Sequence, residues 1–140
     1  MQKMSQVLAS LALALIVSLP LQAKQPPIMA APPIVTLMPV LNDNPDFFDL
    51  SAEQKKQVAS IAQRSSHARE GLDQSILDLR AELRDLLMKQ GVDVKQVQKI
   101  STELLAQEKA RLQLSIDCVM GLQKVLTPAQ WKALVELAQQ

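Results

Sequence analysis

With 140 residues, the chain is sized for one domain, and its 15 Lys and Arg against 14 Asp and Glu leave no basic excess to recommend nucleic acid as a partner. Setting aside residues 1–23, which hold Lys3, 15 − 1 leaves 14 basic residues against the same 14 acidic ones. Trp131, Phe47 and Phe48 are the only aromatic residues, so there is no platform for base stacking, and enrichment in Ala, Leu, Gln, Lys and Glu with three glycines indicates an all-α fold.

Residues 1–23 begin with a short segment bearing Lys3, followed by an apolar run from Val7 to Leu21. The run is shorter than the roughly 20 residues a membrane-spanning helix needs, and Pro20 followed by Leu21-Gln22-Ala23 resembles the approach to a signal-peptidase site. Export to the periplasm is the expectation, and a retained N-terminal anchor in the inner membrane is the competing reading. No cysteine follows the run, so a lipoprotein anchor is not expected.

Residues 24–49 hold six of the eight prolines, in pairs and without periodicity, and read as an extended, flexible linker. Their apolar residues, Ile34, Leu37 and Leu41 among them, exceed what a spacer needs. These side chains either lie on a partner or a second copy, or are simply tolerated.

Residues 50–140 read as one helical domain. Ser51 can cap a helix, Gln54 stands at the reciprocal position of a capping box, and Leu50 can serve as a hydrophobic staple. A helix from there toward Gln90 is predicted, bent or broken near Ser65-Ser66-His67 and Gly71. Gly91 can take the left-handed conformation that ends a helix, and Asp93 with Gln96 has capping-box spacing for the next. A turn at this point makes the two arms antiparallel, with partner numbers summing to about 184.

The apolar pattern fits that register. The first arm offers Leu86, Leu83, Leu79, Ile76, Leu72, Ala68, Ser65, Ile61 and Val58. The second answers with Val97, Ile100, Leu104 or Leu105, Glu108, Leu112, Ile116, Val119, Leu122 and Leu126, where only Glu108 breaks the run and can reach Arg80 or solvent. Leu126-Thr127-Pro128-Ala129-Gln130 repeats the opening device, with proline at the first helical position. A short last helix carrying Trp131, Leu134, Val135 and Leu137 on one face is predicted to fold back on the hairpin. The second arm is apolar on a further face, at Leu114, Cys118 and Val125, and a two-fold homodimer is the simplest cover for it.

Two Leu-Ser/Thr-x-x-Gln motifs, Leu50-Ser51-Ala52-Glu53-Gln54 and Leu126-Thr127-Pro128-Ala129-Gln130, flank this helical hairpin in a small chain with a proline-rich start. Together they resemble the Spy/CpxP-like family of periplasmic chaperones and heavy-metal sensors or resistance proteins, over about residues 50–137. Ser51 stands where the family usually has Thr and preserves the cap. The resemblance implies a cradle-shaped dimer that either holds unfolded envelope proteins without ATP or reports stress or metal to a membrane-bound regulator.

Two candidate sites follow. His67 and Cys118, the only histidine and cysteine, sum to 185 and with Glu70 and Met120 make a chemically reasonable set for zinc, nickel or copper. The simpler reading is a solvent-facing His67 and a packed Cys118; an intermolecular disulfide is a further role for the thiol. Arg64, Arg69, Arg80 and Arg84, interleaved with apolar residues, are candidates for a client-binding surface, against the plainer reading of a solvated charged face. No nucleophile, base and acid stand at motif spacing and no glycine-rich phosphate loop occurs, so catalysis is not expected.

Overall fold

The computed structural model describes residues 27–139, all of whose regular elements are helices: α1 (Leu37–Asp43), α2 (Ala52–Leu87), α3 (Val94–Val125) and α4 (Pro128–Ala138). The expected signal segment at 1–23 lies outside the described residues. Among those residues no helix is long and apolar enough to cross a membrane.

α2 and α3 form the antiparallel hairpin. α2 starts where its capping box places it, with Gln54 N–H donating to Ser51 Oγ at 3.1 Å and Ser51 N–H donating to Gln54 Oε1 at 3.0 Å. It runs without interruption to Leu87, contrary to the bend expected near Ser65 and Gly71. A Cβ at Gly71 would meet nothing within 4 Å, so this glycine lies on the open side of the helix, where its missing side chain removes no contact.

The turn is wider than the sequence suggests. α2 ends at Leu87 with Met88 as its cap, and Gly91 adopts φ +76° three residues later, inside the connection instead of at the helix end. Asp93 caps α3 by accepting from the N–H groups of Lys95 and Gln96 at 2.9 and 3.4 Å. The side chain of Gln96 does not return the bond, so this cap is not a full box.

The expected register holds: Arg69 meets Ser115 and Asp73 meets Arg111, both pairs summing to 184. Val58, Ile61, Ile76, Leu79 and Leu86 are buried along the first arm as the periodicity requires, whereas Ala68 is exposed. Most of the expected stripe of the second arm is covered as well: Ile100, Leu122 and Leu126 are buried, and Val97, Leu104, Glu108 and Val119 are half-buried. Leu112 and Ile116 face solvent, and Arg111, Ser115 and Cys118 stand toward the partner helix or its rim. A third layer packs over the base of the hairpin.

That layer comes from the segment read as a linker. Residues 37–43 are helical, and Leu37, Leu41 and Phe48 are buried in one apolar cluster with Leu50, Val58, Ile61, Leu122, Leu126 and Leu134. Leu50, expected as a staple, has the polar Lys55 at the matching position and instead joins this cluster. α1 packs against α4, whose Leu134 is wholly buried with Trp131 and Leu137 beside it. Leu37 and Leu41 thus cover this chain's own core, with Met38, Val40, Cys118 and Val125 packed beside them, whereas Ile34 and Val35 stay exposed.

A second cluster, Leu79, Leu86 and Ile100 with Leu83, Val97 and Leu104 around it, closes the hairpin near its turn. Between the two clusters the interface is largely polar. Gly71→Ala should stabilise the fold by about 0.5–1 kcal/mol, since an exposed helix-interior glycine costs that much against alanine. Urea unfolding measures it, and a loss of stability would contradict an unbroken α2.

Candidate functional site

The base of the hairpin is joined by its two capping boxes. A capping box uses only the amide oxygen of its glutamine, so the NH2 group is left to donate elsewhere. Gln54 Nε2 donates to Gln130 Oε1 at 2.8 Å and to the Val125 carbonyl at 3.0 Å. Gln130 Nε2 donates back to Gln54 Oε1 at 3.4 Å and to the Phe48 carbonyl at 3.0 Å, while its own oxygen accepts from Thr127 N–H at 2.9 Å. Both donor hydrogens and both acceptor positions of each amide are filled. Asp49, at φ +45°, turns the chain between the Phe48 carbonyl and the start of α2; a short polar side chain tolerates that left-handed conformation well.

The middle of the hairpin is held by charge. Arg80 donates to Glu108 from Nη2 at 2.5 Å and from Nε at 3.2 Å, and from Nη1 to the Met29 carbonyl at 2.5 Å, which pins the N-terminal strand-like segment to the hairpin. Arg111 pairs with Asp73 and is the more enclosed, with its side chain 13% exposed. The Arg80–Glu108 pair, with about a third of each side chain exposed, contributes about 0–1 kcal/mol, so it fixes register more than it stabilises.

The four candidate client-binding arginines therefore do not share one open surface. Arg69 donates to Ser115 Oγ at 3.1 Å and Arg80 ties α2 to α3; Arg84 pairs with the adjacent Asp85 at 3.0 Å, and Arg64 is exposed. His67 is exposed on α2, whereas Cys118 is a free, half-buried thiol packed against the larger apolar cluster. Among the described residues no group of three or more His, Cys, Asp and Glu side chains is placed to hold a metal ion.

The open surface lies on α3. Val94, Leu105, Leu112, Ile116 and Met120 are all exposed, Leu105 by 66% and Leu112 by 43%. At 3.6 residues per turn they fall within an arc of about 80° and extend roughly 39 Å along the helix. Leu87, Met88 and Val92 continue exposed apolar surface into the turn. Leu112 and Ile116, expected within the covered stripe of this arm, are open instead.

Comparison of the chain with known protein families, characterised proteins and solved structures found no match.

Glutamate at position 54 or 130 keeps a capping box but has no hydrogen to donate across the base. Gln54→Glu and Gln130→Glu should each lower stability by about 1–3 kcal/mol at neutral pH, and the double variant should lose more than the sum because it sets two carboxylates face to face. Chemical denaturation of the three variants tests this; neutral single substitutions would show that the amide pair stabilises nothing.

Proposed function

We propose that this chain is an exported, periplasmic protein-binding chaperone or envelope-stress adaptor, acting by surface contact without catalysis or ATP. The observation that carries the reading is the exposed apolar stripe of α3, because extended apolar surface on a folded chain marks a site of association. In this reading the stripe serves two kinds of occupant, a second copy in a two-fold dimer and apolar segments of unfolded envelope proteins or of a membrane-bound regulator. Lys109 within the stripe and Gln113 at its edge, both exposed, supply polar contacts that keep such binding reversible. The resemblance to the Spy/CpxP-like family supports the same reading, since Gln54 and Gln130 of the two motifs meet at the base of one hairpin.

The purified protein should suppress aggregation of a chemically denatured test protein at a near-stoichiometric ratio. Leu105→Gln/Leu112→Gln/Ile116→Gln should abolish most of that activity while changing folding stability little, as exposed substitutions do. Analytical ultracentrifugation should show the same variant shifted toward monomer. Light scattering unaffected by the unaltered protein would overturn the chaperone reading, and suppression retained by the triple variant would remove the stripe from it.

A further inference from the structure

A half-open cavity of about 550 Å³ lies between α1 and the hairpin, a volume in the range of small-molecule sites. Toward the base its lining is mainly apolar, with Leu37 and Met38 of α1, Ala62 of α2, and Val119 and Leu122 of α3, and the neutral amides of Asn42 and Gln63 are among its polar groups there. Toward the turn it is lined by Ser65, Ser66 and Arg69 of α2 and Ser115 of α3. One cationic group thus stands at the polar end of an apolar slot.

Arg69 lacks a counter-ion there. Its Nη2 donates to the neutral Ser115 Oγ at 3.1 Å, and among the described residues no carboxylate stands within ion-pair distance of it. The acid one turn further along α2, Asp73, is engaged by Arg111. Residues 1–26 contain no Asp or Glu at all. A guanidinium holds its charge at any physiological pH and binds carboxylates through paired N–H donors, more strongly where water is partly excluded. Ser65 and Ser66, at i−4 and i−3 from Arg69, add hydroxyl donors on the same helix face.

We propose that this cavity binds a single-chain fatty acid, with the carboxylate on Arg69 and the acyl chain between α1 and α3. The slot offers one cation, so it suits one anionic head, and its apolar part is bounded by α1 and the hairpin, so it suits one chain. The inference is independent of the protein-binding role, which uses the exposed stripe of α3. Cys118 also lines the cavity, which gives the bound state a chemical reporter.

The test is calorimetric titration of the purified protein with laurate and with dodecanol, which has the same chain and no charge. Laurate should bind one per chain, roughly tenfold or more tighter than dodecanol, the difference expected for a hydrogen-bonded charge. Arg69→Gln should erase that preference while leaving dodecanol binding unchanged; Arg69→Lys, which keeps the charge, should retain part of it. Saturating laurate should slow alkylation of Cys118 by N-ethylmaleimide several-fold, and circular dichroism of each variant checks that it is folded. Absence of laurate binding, equal affinity for laurate and dodecanol, unaltered laurate affinity in a folded Arg69→Gln, or alkylation of Cys118 indifferent to laurate would each overturn the proposal.

Discussion

The amide pair of Gln54 and Gln130 is the constraint on which the rest of the molecule depends. It links the first turn of α2 to the first turn of α4, two points 76 residues apart. Each glutamine is held by its own helix cap, so little side-chain freedom remains to be lost when the two meet. With the starts of both helices fixed, the Phe48 and Val125 carbonyls are brought under the same two amides, and the approach of α1 and the end of α3 are set with them. Leu41, Leu122 and Leu134 are buried in the same base of the hairpin, where the amides themselves are half-buried.

Away from the base the fold relies on different physics. Two apolar clusters hold the ends of the hairpin, and ion pairs occupy the stretch between them. Leucine at the position of Arg111 would make that stretch continuous and also more tolerant of slippage. Partners of opposite sign at fixed levels penalise a displaced register, since sliding by one turn would strand Asp73 and Glu108. The polar middle therefore favours specificity of pairing over strength, and it leaves the apolar residues of α3 free to point outward.

Much of this architecture was legible in the sequence. The sum of 184 followed from one turn and two stripes, and Ser51, Asp93 and Thr127 identified themselves as caps because few residue types can do that work. Three features were not legible. Proline pairs concealed α1, since a helix of seven residues has too little length to show periodicity and Pro39 stands within its first turn, where it is tolerated. The exposure of Leu112 and Ile116 was hidden because Arg111 and Ser115, opposite Asp73 and Arg69, take the interface at those levels. Arg111 escaped notice as an interface residue although its partner Asp73 lay at the matching sum. The amide pair, by contrast, left a signal in the choice of glutamine: two capping boxes that could each have used glutamate carry the residue with hydrogens to spare.

The packing of α1 against α4 has a consequence for how the chain comes together in time. Residues near the bend, such as Leu86 and Ile100, are 14 apart, and bringing ends 76 apart into contact costs about 1.5 kcal/mol more in chain entropy. Chain entropy thus favours contacts beside Gly91 over those at the base as the first to form. Leu37, Leu41 and Phe48 precede Leu134 in the chain, and the cluster they share is complete only once Leu134 has been made. The earliest piece of the core to be synthesised is also the one that waits longest for shelter.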